Sequence, residues 1–134
     1  MNRRHDRENL MKLVYEMHMN HDFSIQRYEK FCEQYVQGTP DRYFQSVSGM
    51  IIDNIEEIDE TIEKNSTNWK ISRMSAVDLA ILRVSAAEIL YNSGVPLEVS
   101  INEAVELAKK YGTEKSPGFI NGLLGSLVRA DEKG

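Results

Sequence analysis

Three arginines stand close together at the start of the chain: Arg3, Arg4 and Arg7. On a helix, Arg3 and Arg7 are i, i+4 neighbours leading into the apolar stripe Leu10, Val14, Met17. Arg4, Met11 and Tyr15 form the adjacent stripe. Positive charge at a helix N-terminus opposes the helix dipole by about 0.3–1 kcal/mol per exposed charge. An anionic partner reverses that balance, because guanidinium forks fit phosphates and the first helical N–H groups face the same way. Tyr15, one stripe over, has the ring needed to stack on an unpaired base. The same spacing is equally compatible with an exposed arginine segment that binds nothing.

A second group lies far along the chain. Tyr111 precedes Gly112, Lys115 precedes a Ser116-Pro117 helix start, and Phe119 follows one turn later. Two rings around a lysine at a helix beginning suit a single-stranded nucleic acid, although Phe119 is also suited to plain core packing. A third clue is charge inside an apolar segment: Asp78, Arg83 and Glu88 interrupt the run 76–91. Buried charges are rare unless paired, so these residues pair internally or line a partner interface. Their spacings of five prevent all three from sharing one helix face.

Other chemistry is weakly supported. His18, His21 and Asp22 could hold a metal only if the first helix persists to residue 21, and two solvated histidines at a helix end are the plainer expectation. The acids Asp53, Glu56, Glu57, Asp59, Glu60 and Glu63 lack the glycine and ligand periodicity of a calcium loop and read as a solvated polar face. Gly118, Gly122 and Gly125 follow no strand and precede no Gly-Lys-Ser/Thr, so they are not a phosphate loop. Cys32, the one cysteine, falls on an apolar stripe and excludes an internal disulfide or a cysteine-based zinc knuckle. No serine, cysteine or threonine stands in a recognisable nucleophile context. The expectation is a binding protein rather than an enzyme, with no metal and no cofactor.

The whole chain of 134 residues must position these groups, and that length suits one domain. Its net charge of −5 is more than accounted for by the six acids of 53–63, which leaves room for a local positive face. No apolar run approaches the roughly 20 residues of a membrane span, and no apolar segment follows the basic start as a secretory signal would require. A reduced, cytoplasmic setting is therefore expected.

Helical periodicity dominates. A first helix is expected over about 3–20. Ser24 should cap a second helix with the stripe Ile25, Tyr28, Phe31/Cys32, Tyr35, stopped by Gly38 and Pro40. Thr39-Pro40 should open a third, with proline at its first position and the stripe Phe44, Val47, Ile51, Ile55, Ile58, Ile62. The run 65–68 is a polar break, and Trp69 to Met74 suits a short helical turn. Residues 76–91 are apolar on most sides, which predicts a central, buried helix ending at 92–96. Ser100-Ile101-Asn102-Glu103 has the capping-box pattern, with Gly112 as the closing glycine. In the last helix the three glycines predict close approach of a neighbouring helix, since each costs roughly 1 kcal/mol relative to alanine. The fold class is all-α, with six or seven helices in two groups, about 1–64 and 69–130.

Several segments carry a family resemblance. Ala80-Ile81-Leu82-Arg83, Glu88-Ile89-Leu90, Val95-Pro96, the run from Ile101 through Asn102, Glu103 and Ala104 to Lys109, and Phe119-Ile120-Asn121-Gly122-Leu123-Leu124 closely resemble the C-terminal half of the NusB family. Arg3-Arg4, Arg7-Glu8 and Val14-Tyr15 resemble that family's arginine-rich first helix. The resemblance implies a single NusB-like domain of two roughly perpendicular three-helix bundles sharing a core. It implies a bacterial transcription antitermination factor that binds boxA single-stranded RNA with the ribosomal protein NusE. The complex would load onto RNA polymerase and promote transcription of ribosomal RNA operons. By position, Arg3, Arg4, Arg7, Tyr15, Tyr111, Lys115 and Phe119 would face RNA, and Asp78, Arg83 and Glu88 would match the charged positions of the central helix, with NusE near Asp78. Lys115 stands where the family often has an acid. Two alternatives remain open: the RNA-binding module of an RNA cytosine methyltransferase, and a protein-binding helical homodimer.

Overall fold

The computed structural model describes residues 3–67, 69–91 and 94–133, and all the regular structure among them is helical. The order is α1 (Arg3–Met19), α2 (Ile25–Tyr35), α3 (Arg42–Lys64), a 3-10 turn (Ile71–Arg73), α4 (Ala76–Tyr91), α5 (Leu97–Tyr111) and α6 (Ser116–Lys133). Expectations that fall on Asn68 and on residues 92–93 lie outside the described residues.

The centre of the molecule is α4. Every residue from Leu79 to Ile89 is buried, because α1, α3, α5 and α6 all pack against it. Each apolar stripe supplies one wall: Leu10, Leu13, Val14 and Met17 from α1, Val47, Ile51, Ile58 and Ile62 from α3, Ala104 and Ala108 from α5, and Ile120, Leu124 and Leu127 from α6. Fully burying a leucine or isoleucine stabilises by about 1.5–3 kcal/mol. One continuous core therefore runs through the whole chain rather than two separate ones.

Helix ends show where local signals competed. Ser24 caps α2 as its type predicts, its Oγ accepting the Arg27 N–H at 3.1 Å. The α2 stripe does not bury throughout: Phe31 is in the core, but Ile25 and Tyr35 stay exposed. The third helix begins later than Thr39-Pro40 suggests. Asp41 is its N-cap, with Oδ1 accepting the Phe44 N–H at 3.0 Å. A carboxylate there meets both the orphan N–H groups and the helix dipole, so it outcompetes the Thr-Pro start.

Ser100 is not a cap. α5 starts at Leu97 after Pro96, and Ser100 lies inside it, buried, with its hydroxyl donating to Glu88 Oε1 at 2.5 Å. Serine and glutamate three apart also share a face within a helix, and here that geometry prevails. Gly112 ends α5 in extended conformation (φ −94°, ψ −162°) rather than left-handed. Its reason is space: a Cβ there would lie 2.4 Å from Ser116 Oγ and 2.6 Å from Ser116 Cβ. Ser116 is buried and accepts the Thr113 N–H at 2.9 Å, instead of capping α6.

The glycines of α6 correct another expectation. A Cβ on Gly118 or Gly122 would meet nothing within 4 Å, so no neighbouring helix approaches there. Nor is the acidic run of α3 only a solvated face. Asp59 grips Arg83, Glu57 accepts the Tyr91 hydroxyl, and Glu63 accepts the Ile71 N–H at 2.9 Å.

Candidate nucleic-acid interface

Long side chains from the first two turns of α1 reach those of α5 between Glu103 and Lys110, and this places charges of both signs on one face. Arg4 is largely exposed and sets its guanidinium fork on Glu103, Nε to Oε1 at 3.0 Å and Nη2 to Oε2 at 2.7 Å. The hydrogen bond from Arg4 holds the Glu103 carboxyl below the usual carboxylate range, against the opposing effect of burial. One turn on, Lys110 Nζ reaches Glu8 Oε2 at 2.7 Å, which lowers the Glu8 pKa in the same way. Lys110 and Lys12 both stand over the Tyr111 ring, at 5.3 and 6.0 Å from its centroid. Arg3 lies over the ring of Tyr43 at 4.5 Å. A shallow cavity of about 370 Å³ runs between Arg4, Glu8, Glu103 and Lys110.

Arg7 does not join this surface. It is 5% exposed, and its Nε donates to both Glu88 carboxylate oxygens at 3.1 and 3.3 Å. Its Nη2 lies 3.1 Å from Glu88 Oε2, close enough for charge attraction but off the hydrogen-bonding line. The register explains this. Arg7 precedes Leu10 and Val14 by three and seven residues, so it shares their inward face. It is a core residue holding α1 to α4, not a ligand for phosphate.

Glu88 and Arg83 likewise depart from an exposed partner surface. Glu88, 1% exposed, gathers Arg7, the Tyr43 hydroxyl and Ser100 around one carboxylate. Arg83, 4% exposed, forks onto Asp59 at 2.7 Å for both contacts, meets His18 Nδ1 at 3.0 Å, and stacks over Phe23. A guanidinium can only donate, so His18 Nδ1 accepts and its Nε2 carries the proton. Burial and the adjacent Arg83 charge hold the His18 pKa below its ordinary value. Both ion pairs bind α4 to its neighbours, so neither is free to meet another protein.

Asp78 is different. At the start of α4 its N–H donates to Ser75 Oγ at 3.1 Å, while its Oδ1 has no hydrogen-bond partner among the described residues. It lines a cavity of about 240 Å³ with Trp69, Arg73, Met74, Lys115, Ser116 and Phe119. Trp69 is half exposed at its rim. Lys115 is exposed, and Phe119 is half-buried with its ring against the core. The structure thus sorts the expected residues into two clusters. Arg4 and Tyr111 lie with Lys12 and Lys110, while Lys115 and Phe119 lie with Asp78. Tyr15 is exposed on α1 beside Lys12.

Nothing in the sequence marks Tyr43 or Trp69 for these roles, since neither stands in a motif. Glu103, Lys12 and Lys110 carried a weak signal, as charges on the same helices as the arginines and Tyr111. His21 lies past the end of α1 with φ of 51°, so it does not share a helical face with His18. Among the described residues no three His, Cys, Asp or Glu side chains converge as metal ligands, and no helix is long and apolar enough to cross a membrane.

This is an all-helical protein whose exposed cations and rings gather on the outer helices around a buried central rod. The family model described as the NusB family matches residues 4–129, and the chain belongs to that family. It is 46% identical over 132 residues to the transcription antitermination protein NusB of Alkaliphilus oremlandii (strain OhILAs), covering 98% of this chain and 96% of that one. The structure is similar to that of T. maritima NusB, with a TM-score of 0.84 and 31% identity over 96% of this chain and 92% of that chain. It also matches a chain from a crystal structure of antitermination factors NusB and NusE in complex with dsRNA, with a TM-score of 0.84, 25% identity and 96% of each chain covered.

Proposed function

We propose that the protein is a non-catalytic transcription antitermination factor that binds boxA-type single-stranded RNA together with ribosomal protein NusE and delivers that complex to RNA polymerase in the cytoplasm. The observation that carries the reading is the α1–α5 face, where Arg4, Lys12 and Lys110 stand beside Tyr15 and Tyr111 in a member of the NusB family. Cations at that spacing attract phosphates, and the rings offer flat surfaces to unpaired bases. Arg3 extends the RNA contact at the start of α1, and Lys115 and Phe119 would carry it to the rim of the Asp78 cavity, where RNA and protein partner would meet. The cavity around Asp78 is the proposed NusE contact, since its unpartnered carboxylate oxygen and half-exposed Trp69 offer an acceptor and a ring together. The chain acts as a single domain, its halves of about 1–64 and 69–130 joined by α4.

A gel shift tests this directly, comparing a boxA-like single strand with a scrambled one, with and without NusE. Preference for the boxA-like strand, strengthened by NusE and weakened steeply by salt, supports the reading. Equal binding to both strands removes it. Light scattering on the same samples separates an RNA-competent monomer from a homodimer that covers the cationic face.

A further inference from the structure

The outer side of α1 carries a second feature, continuous with the cationic face. Between α1 and α2 runs an open groove of about 660 Å³. Its floor is the buried ring of Phe31, and the Tyr35 ring packs on that floor at 4.9 Å between centroids. Three large side chains that a folded protein would ordinarily cover stand exposed around it: Tyr15 at 38%, Met19 at 55% and Tyr35 at 57%. The amides of Asn9 and Asn20 reach its walls, and Lys12 stands at the end nearest Tyr111. Glu16 in the lining is met by Arg27 at 3.6 Å, and Lys12, half exposed and only loosely paired with Glu8 at 4.0 Å, is the cation that a ligand meets at that end.

We infer that this groove takes the nucleotides of the RNA strand that continue beyond the boxA-type segment, with at least one base held between Tyr15 and Tyr35. This rests on the proposed RNA-binding reading and extends it to a second subsite. Rings present a π-face that any base can use, amides can donate to and accept from base edges, and a lysine at the mouth suits the linking phosphate. Continuity points to RNA rather than a peptide as occupant: Lys12 lines the groove and also stands over the Tyr111 ring of the cationic face, with Tyr15 beside it in the groove.

The test is fluorescence anisotropy with a boxA-like RNA, the same RNA extended by three nucleotides at either end, and an extension made of abasic sites. One of the two extensions should tighten binding roughly tenfold, the size expected for one stacked base, and the abasic form should lose most of that gain. Tyr35→Ala should erase the gain while leaving the unextended RNA bound as before, and Tyr35→Phe, which keeps the ring, should retain it. A 4-thiouridine in the extension should crosslink to peptides containing Tyr15 or Tyr35. If the unextended RNA binds specifically but neither extension adds affinity, or Tyr35→Ala leaves the gain intact, the groove is not an RNA subsite and the wider reading stands. If the unextended RNA shows no preference over a scrambled strand, both fall together.

Discussion

Arg4 and Glu103 form a two-pronged ion pair across the α1–α5 junction, at 3.0 and 2.7 Å, on the face proposed to meet RNA. The carboxylate occupies the fork that a phosphate would use. Binding RNA through Arg4 therefore requires an exchange of anions, and Glu103 sets how readily that exchange occurs. Glu103→Gln should raise RNA affinity a few-fold at low salt. Arg4→Ala should weaken binding and flatten the log–log salt dependence by about 0.7, the loss of one phosphate contact on a single strand. Anisotropy titrations at several salt concentrations measure both effects.

The buried arginine behaves differently. Arg7→Ala should leave the Glu88 charge uncompensated in the core and destabilise the fold by about 3–5 kcal/mol. Urea denaturation reads this as a lowered midpoint. Arg7→Met combined with Glu88→Leu should recover much of the loss, because removing both charges avoids the stranded one. An Arg7→Ala protein kept folded at low temperature should retain an undiminished salt slope for RNA, unlike Arg4→Ala.

Two carboxyls meet where α1 begins and α3 is capped. Burial, then its hydrogen bond and repulsion with Asp41, push the Asp6 pKa up to about 6, while Asp41 is held down chiefly by the hydrogen bond from Asp6 and then by the Phe44 N–H. A raised carboxyl pKa adds stability that is full below the ordinary value of 3.8 and is lost as pH rises through about 6. Asp6→Asn keeps a donor to Asp41 without the charge. It should raise the melting temperature by a few degrees at most near pH 7.5, and the gain should vanish near pH 4. His18 runs the other way: its lowered pKa gives stability that is full above 6.5 and is lost as pH falls toward the lowered value. Following the His18 ring by NMR should show a midpoint below 6.5.

Two glycine substitutions should have opposite signs. Gly122 is exposed within α6 with nothing within 4 Å of a new Cβ, so Gly122→Ala should stabilise by about 0.5–1 kcal/mol through helix propensity. Gly112→Ala drives a Cβ against buried Ser116 and the Ala108 carbonyl, and should destabilise by about 1–3 kcal/mol. Thermal melts of the two variants settle the contrast.

Periodicity made the bounds of α4 legible, because a helix apolar on nearly every side can only be central. Ser24 was legible as a cap for a local reason, since its partner is three residues away. Arg7 was not. Its residue type suggested the surface, its register pointed inward, and the carboxylate that decides the matter lies 81 residues further on. Ser100 failed for the same reason: the hydroxyl fits a cap or a buried donor, and only the position of Glu88 distinguishes them. The glycine spacing of α6 suggests a packing surface, but local sequence does not say which side of a helix finds a neighbour. At the candidate interface, residue types marked Arg4, Tyr15 and Tyr111 correctly as groups in reach of solvent, while the acids opposing the cations came from tertiary contact.

Because α4 serves as the shared inner wall for helices from both ends of the chain, neither end can assemble without it. Severing the backbone in the polar stretch at 65–67 would strand α1 and α3 with their apolar stripes bare, and would leave Arg83 without Asp59. Loss of this rod would dismantle both ends at once, which ties the cationic face near one terminus to the integrity of the other.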